Sequence, residues 1–237
     1  MNMTFRVIRY LPGIVATLFS VGCAVPNPVL ISAEREPGCN VALLSSGKEQ
    51  LGTVFKLQVG SGVAYLTAAH SLPAIKTRDL NITYKCQMLT IRQKVIALEN
   101  LPGIDVAIVR PANLIAELPT LQPSSSQAGA ITIPNYSLMT SLDPQLGEVS
   151  IESVGSLIYR KDGKIYFTAS ILRSGASGAP VLDPQRGVIG IIIGRFMEGN
   201  IYAGIGFGYS VEKILRAISA RSTAATATST GVMWNGE

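Results

Sequence analysis

From Val41 to Phe207 the chain is a succession of short β-type runs, each cut off by Gly, Ser, Pro or Asn, and this punctuation confines it to an all-β architecture. Thr53–Gln58 and Val63–Thr67 flank Val59-Gly60-Ser61-Gly62, a hairpin with a glycine-bearing turn. Further strands are expected at Leu80–Lys85, Lys94–Leu98 and Asp105–Val109. After a Pro/Ser-rich linker at 119–127, more are expected at Ala130–Ile133, Glu148–Ile158, Lys164–Thr168, Val181–Leu182, Val188–Ile193 and Ile201–Phe207. Two clusters of about six strands around a linker predict two small barrels, 39–118 and 128–219. Ser210 can cap a closing helix from Val211 to about Ser219, with Glu212 favourable in its first turn. The Ser/Thr/Ala/Gly-rich stretch 220–237, which holds Trp234, reads as a flexible tail.

At 237 residues, 47% of them hydrophobic and only 15% charged, the chain has enough apolar surface for a substantial core and is not a disordered polymer. The net charge of +5 is spread out. Without a basic stripe, nucleic acid is a poor partner. Residues 1–24 resemble a secretory signal: Arg6 and Arg9 supply the positive start and Leu11 to Val21 a short apolar stretch, ending at Gly22-Cys23-Ala24. Cleavage after Ala24 predicts export, periplasmic or secreted. A lipoprotein would instead be cut before Cys23, and Ser20 stands where such a signal favours leucine, so membrane attachment depends on lipidation of Cys23. In an oxidising compartment Cys39 and Cys86 can pair, closing a loop worth about 4 kcal/mol, or remain as two small buried thiols.

The chemistry gathers around the only histidine. His70 closes Thr67-Ala68-Ala69-His70 and is the sole side chain able to act as a neutral-pH base. Asp105 leads the apolar strand Val106-Ala107-Ile108-Val109, a costly place for an unpaired charge. Of the competing aspartates, Asp143 and Asp162 lie in turn-like segments and Asp183 follows the serine motif too closely. Asp79, before a strand, is the serious rival. Ser177 sits in Gly175-Ala176-Ser177-Gly178-Ala179-Pro180, where the flanking glycines allow a tight turn that exposes the hydroxyl. The same turn lets the amides of Gly175 and Ser177 converge as an oxyanion hole, and Ser174 is its neighbour in the loop. The order His, Asp, Ser fits Ser177 as nucleophile, His70 as base and Asp105 as orienting acid.

These segments resemble the trypsin-like (chymotrypsin-fold) serine proteases from about Val41 to Ser219. Gly187-Val188-Ile189-Gly190-Ile191 and Gly204-Ile205-Gly206-Phe207-Gly208-Tyr209-Ser210 look most like the bacterial Deg-type branch. The resemblance implies two six-stranded antiparallel β-barrels with a short C-terminal helix and a site in the cleft between them. It makes Ile171, six before the serine, the base of the primary pocket. Ile191, Ile192 and Ile193 would form the strand beside the substrate, with Gly204, Ile205 and Gly206 opposite, which implies small or medium apolar residues before the scissile bond. Ala176 stands where digestive relatives carry Asp and Deg-type relatives usually Asn, so activation by a freed N-terminus is not available and the oxyanion loop loses those hydrogen bonds. After the terminal helix too few residues remain for a peptide-binding PDZ module.

The reading is therefore an exported serine endopeptidase acting on peptide or protein substrates through an acyl-enzyme, with neither a cofactor nor a metal-ligand cluster to suggest other chemistry. A catalytically weak or inactive peptide-binding module of the same fold is the alternative. Ester hydrolysis or acyl transfer by the same triad is a third reading.

Overall fold

Among the residues that a computed structural model describes (39–47, 49–72, 79–127, 129–138, 148–199 and 201–230), thirteen β-strands and one α-helix form two barrels. The expected leader with Cys23, the turn holding Asp143, and the end holding Trp234 lie outside the described residues.

The first barrel uses β1 (Ala42–Ser46), β2 (Glu49–Val59), β3 (Gly62–Ala68), β4 (Leu80–Cys86), β5 (Leu89–Asn100) and β6 (Val106–Pro111), in the order β1-β4-β5-β6-β3-β2. Antiparallel pairing of β1 with β2 closes it. The predicted hairpin is in place, with Val59 opposite Gly62 across Gly60-Ser61. A short β7 (Thr120–Leu121) then lies parallel to β2. The second barrel uses β8 (Ala130–Leu138), β9 (Glu148–Lys161), β10 (Lys164–Ala169), β11 (Pro180–Leu182), β12 (Val188–Glu198) and β13 (Ile201–Ser210) and closes in the order β10-β13-β12-β11-β8-β9. These are the two six-stranded antiparallel barrels that the sequence predicted.

Alternation along the strands divides the apolar residues between barrel interiors and seam. On β2, Val54 faces the interior of the first barrel while Phe55 and Leu57 join a cluster that also holds Tyr136, Val188 and Ile191 of the second half. On β12 a register shift at Ile189, between the Val188 and Gly190 pairings with β11, breaks the alternation, so that Ile189 and Ile192 both fill the second barrel while Ile191 turns to the seam. The barrels therefore share a continuous apolar contact, each fully buried large side chain contributing roughly 1.5–3 kcal/mol.

The segment expected as a linker is laced down. Beyond β7, Pro123 bridges to Val188, and Ser124 donates its backbone N–H to the Val188 carbonyl and its hydroxyl to Asp183 Oδ2 at 2.6 Å. Asp183, 2% exposed, also accepts from the amides of Gln185 and Gly187. It organises a turn and is spent there.

Helix α1 (Val211–Thr230) begins where predicted, with Ser210 Oγ accepting from the Lys213 amide at 3.3 Å. It does not stop near Ser219 but continues to Thr230. Ile214 and Ile218, one turn apart, are buried in the seam, and Arg221 pairs with Glu99. Alanine, frequent after Ser219, has the strongest helix preference of any residue.

Cys39 and Cys86 are disulfide-bonded, 47 residues apart in sequence, tying the entry to β1 to the end of β4. Cys39→Ser should lower unfolding stability by about 2–4 kcal/mol, read as a drop in the urea midpoint. An unchanged midpoint would contradict a structural role for the bond.

Candidate active site

Strand register brings His70 and Asp105 together. On the adjacent antiparallel strands β3 and β6, Ala68 lies opposite Val106, so the residues just after β3 and just before β6 must meet. Ala69–Ser71 form one 3₁₀ turn, and the Ala69 amide donates to the Asp105 carbonyl at 3.3 Å. The carboxylate grips His70 twice. Oδ1 accepts the His70 backbone N–H at 2.7 Å, and Oδ2 lies 2.7 Å from the ring Nδ1. With Nδ1–H donating to Asp105, the lone pair of Nε2 faces outward, and Nε2 lies 3.2 Å from Ser177 Oγ. The rival Asp79 lies elsewhere: its carbonyl accepts from Asn81 at the start of β4. Asp162 takes up a left-handed turn at φ 53°.

Ser177 is carried by the loop between β10 and β11 of the other barrel. That loop is docked on β2 through Thr53, which is fully buried. The Thr53 amide donates to the Ser177 carbonyl at 2.8 Å, and its hydroxyl donates to the Gly175 carbonyl at 2.7 Å while accepting the Tyr136 amide at 3.3 Å. Thr67 Oγ1 in turn donates to the Thr53 carbonyl at 2.9 Å. This packing demands glycine at two points. Gly178 has φ +85°, and a Cβ there would lie 2.3 Å from the Thr53 carbonyl oxygen. Gly175 has φ +96°, and its Cβ would lie 2.1 Å from Gln50 Nε2. Ala176, 3% exposed, packs into the second-barrel core with Leu172 and Ala179. Hydrogen-bonded support for the loop comes from Thr53 of the other barrel. Thr67 belongs to the Thr67-Ala68-Ala69-His70 motif, whereas Thr53 carries no signal beyond its place in a β strand, and sequence reasoning missed it.

The amides of Gly175 and Ser177 donate to no acceptor among the described residues, whereas the intervening Ala176 amide closes a turn onto the Arg173 carbonyl at 3.1 Å. Gln50 adds a buried amide with neither Nε2 nor Oε1 partnered among the described residues. No group of three or more His, Cys, Asp or Glu among the described residues could hold a metal ion.

Beside Ser177 opens a cavity of about 190 Å³, walled by Leu172, Arg173, Ala176, Ile192, Gly194 and Arg195, with Ser174 at its edge. Its lining differs from the residues expected to form the primary pocket. Ile171 is 44% exposed and does not line it. Ile191 is committed to the seam and Ile193 packs against that same cluster, so of the three isoleucines only Ile192 reaches the cavity. Gly204 and Ile205 are not among its walls. Gly206 backs it indirectly, a Cβ there meeting the Phe167 ring and Leu172 Cδ1. The register slips between Ile192 and Gly194 and again between Arg195 and Met197, and these irregularities decide which residues turn inward.

No protein-family model matches the sequence, and no curated protein matches it. Solved structures do share the architecture. The chain aligns with the active form of the Rv3671c protease from M. tuberculosis at 18% identity and a TM-score of 0.55, over 78% of this chain and 81% of that one. Against neuropsin, a serine protease from mouse brain, the values are 15% and 0.60, over 80% and 99%. Against kallikrein-related peptidase 10 they are 12% and 0.58, over 81% and 100%. The fold is that of the chymotrypsin-like serine proteases.

The Thr53 anchor can be tested without reference to any activity. Thr53→Val keeps the shape but removes the hydroxyl bonded to the Gly175 carbonyl and the Tyr136 amide, and should cost about 1–3 kcal/mol of unfolding stability. Thr53→Ser should recover much of that loss. Equal midpoints for all three proteins would mean that the hydroxyl does not hold the loop.

Proposed function

We propose that this chymotrypsin-fold chain is an exported serine endopeptidase. The observation that carries the reading is the continuous hydrogen-bonded line from Asp105 Oδ2 through the His70 ring to Ser177 Oγ, at 2.7 and 3.2 Å. In this reading His70 Nε2 takes the hydroxyl proton as Ser177 Oγ bonds to the scissile carbonyl carbon. The carbonyl π pair moves to oxygen, where the Gly175 and Ser177 amides can receive it. Asp105 holds the ring tautomer and stabilises the imidazolium. His70 then returns the proton to the departing amine, the C–N bond breaks, and the acyl group remains on Ser177. Water, losing a proton to His70, releases the acid and restores the hydroxyl. His70 is 46% and Asp105 32% exposed in the side chain, consistent with an open cleft that admits a polypeptide.

Export is supported by two independent features: the leader-like segment 1–24 and a disulfide, a bond that persists in oxidising compartments.

The test is proteolysis of an unfolded protein substrate. Ser177→Ala and His70→Ala should each lower kcat by about 10⁶-fold, to background, and Asp105→Asn by about 10⁴-fold through loss of the correct tautomer. Wild-type turnover no greater than that of Ser177→Ala would reject the reading in favour of a binding module.

A further inference from the structure

The outer face of the second barrel carries a row of aromatic rings. Ile165 and Phe167 fill the barrel interior, so Tyr166 between them on β10 points outward. Tyr166 pairs with Tyr159 on β9 and with Phe207 on β13, and Phe207 pairs with Gly194 on β12. Partners across antiparallel strands share a face, so one transverse line of residues runs over four strands. Gly194 lets it close up: a Cβ there would lie 2.6 Å from Phe207 Cζ, and the ring takes that space. Phe196, farther along β12, packs against both Tyr166 and Phe207, its ring centroid 6.4 and 5.3 Å from theirs. Tyr159 continues the row on the other side, 6.1 Å from Tyr166.

The row is open to solvent. Tyr159 is 51% and Phe196 46% exposed, and their chain neighbours Ile158 and Met197 are 54% and 44% exposed. Single exposed apolar side chains are ordinary, but a continuous line of them marks an interaction surface. Its position names the occupant. Gly194 and Arg195 line the cavity beside Ser177, so the row begins at the rim of the candidate active site. Three strand spacings separate Tyr159 from Gly194, about 14 Å, the length of about four extended residues. A polypeptide held at Ser177 therefore reaches the rings with its next few residues. The charges flanking the row are of both signs: Lys161, Lys164 and Lys213, the last over the Tyr209 ring, against Asp162 and Glu198. Such a rim does not select an anionic lipid surface or a nucleic acid, whereas spaced rings suit the alternate apolar side chains of an extended chain.

We propose that this aromatic row is a docking surface for an extended polypeptide segment bearing aromatic or aliphatic side chains. That the segment belongs to the substrate, a few residues from the cleaved bond, rests on the protease reading above. In that role the row recruits substrate and lowers KM, while the chemistry at Ser177 is left untouched. Tyr159 and Phe196, the two most exposed rings of the row, are the principal contacts.

Two fluorescein-labelled peptides test it, one with Phe and Leu at alternate positions and one with Ser in their place. Both are titrated into the full Ser177→Ala chain, so that cleavage does not interfere. The apolar peptide should bind and the Ser peptide should not. Tyr159→Ser and Phe196→Ser, each added to Ser177→Ala, should weaken binding about tenfold with unchanged unfolding midpoints. Leu114→Ser, at an apolar site in the first half that is 63% exposed, should change nothing. No binding of the apolar peptide, equal binding of both, or equal weakening by Leu114→Ser would overturn the docking surface and leave the protease reading intact. Sedimentation with phosphatidylcholine–phosphatidylglycerol vesicles that Tyr159→Ser abolishes, without peptide binding, would assign the row to a membrane and overturn it too. In the chain that keeps Ser177, Tyr159→Ser should raise KM about tenfold for a peptide joining the apolar segment to a cleavable sequence. Its kcat, and hydrolysis of the cleavable sequence alone, should not change, and a fall in kcat at constant KM would overturn the recruiting role. If that chain cleaves nothing while the apolar peptide still binds, the protease reading falls and the docking surface stands.

Discussion

Thr53 joins the two halves of the site. His70 and Asp105 belong to one barrel and Ser177 to the other, so their alignment depends on how firmly the serine loop is held against β2. The Thr53 amide and hydroxyl bind the carbonyls of Ser177 and Gly175 at 2.8 and 2.7 Å, and the peptide between the two expected oxyanion donors is thereby fixed. Thr53 is fully buried, so an unpaired hydroxyl or carbonyl there would cost the full desolvation of that group. Behind this contact the seam cluster of Phe55, Leu57, Tyr136, Val188 and Ile191 keeps the barrels in register.

This arrangement anchors the serine loop although position 176 is alanine. A polar residue there would tie the loop to its own barrel by hydrogen bonds. The Ala176 side chain contributes apolar packing, and Thr53 anchors the loop by hydrogen bonds from across the seam. Gly175 and Gly178 follow from the same closeness, since the space that a Cβ would need is occupied by Gln50 and by the Thr53 carbonyl. What the first barrel presents to the loop therefore restricts its conformation.

What could be read from sequence was whatever is encoded locally. Period-two runs and turn residues located eleven of the thirteen strands, with ends up to five residues short, and missed β1 and β7. Ser210 marked the start of the helix, and a single histidine with acid and serine motifs in a recognisable order located His70, Asp105 and Ser177. Helix α1 runs past its expected end because the stretch beyond Ser219, expected as a flexible tail, holds alanines, which favour helix. The pocket was not legible for a different reason. Its walls depend on register slips along β12, which bring Gly194 and Arg195 to the cavity while Ile171 stays outside. Alternation alone cannot foresee a slip of one residue, which exchanges the two faces of a strand. Thr53 was equally hidden, because its partners lie 122 and 124 positions away in the chain.

The central claim is that His70 and Asp105 activate Ser177 in a preformed site. The most direct measurement is covalent modification by a fluorophosphonate, with the adduct assigned by peptide mass spectrometry in the wild-type protein and in folded His70→Ala. The account predicts a single adduct on Ser177, with Ser174 unmodified, and its formation slowed to the rate of an ordinary serine when His70 is replaced. A folded wild-type protein that takes no adduct, or takes it on Ser174, would contradict it.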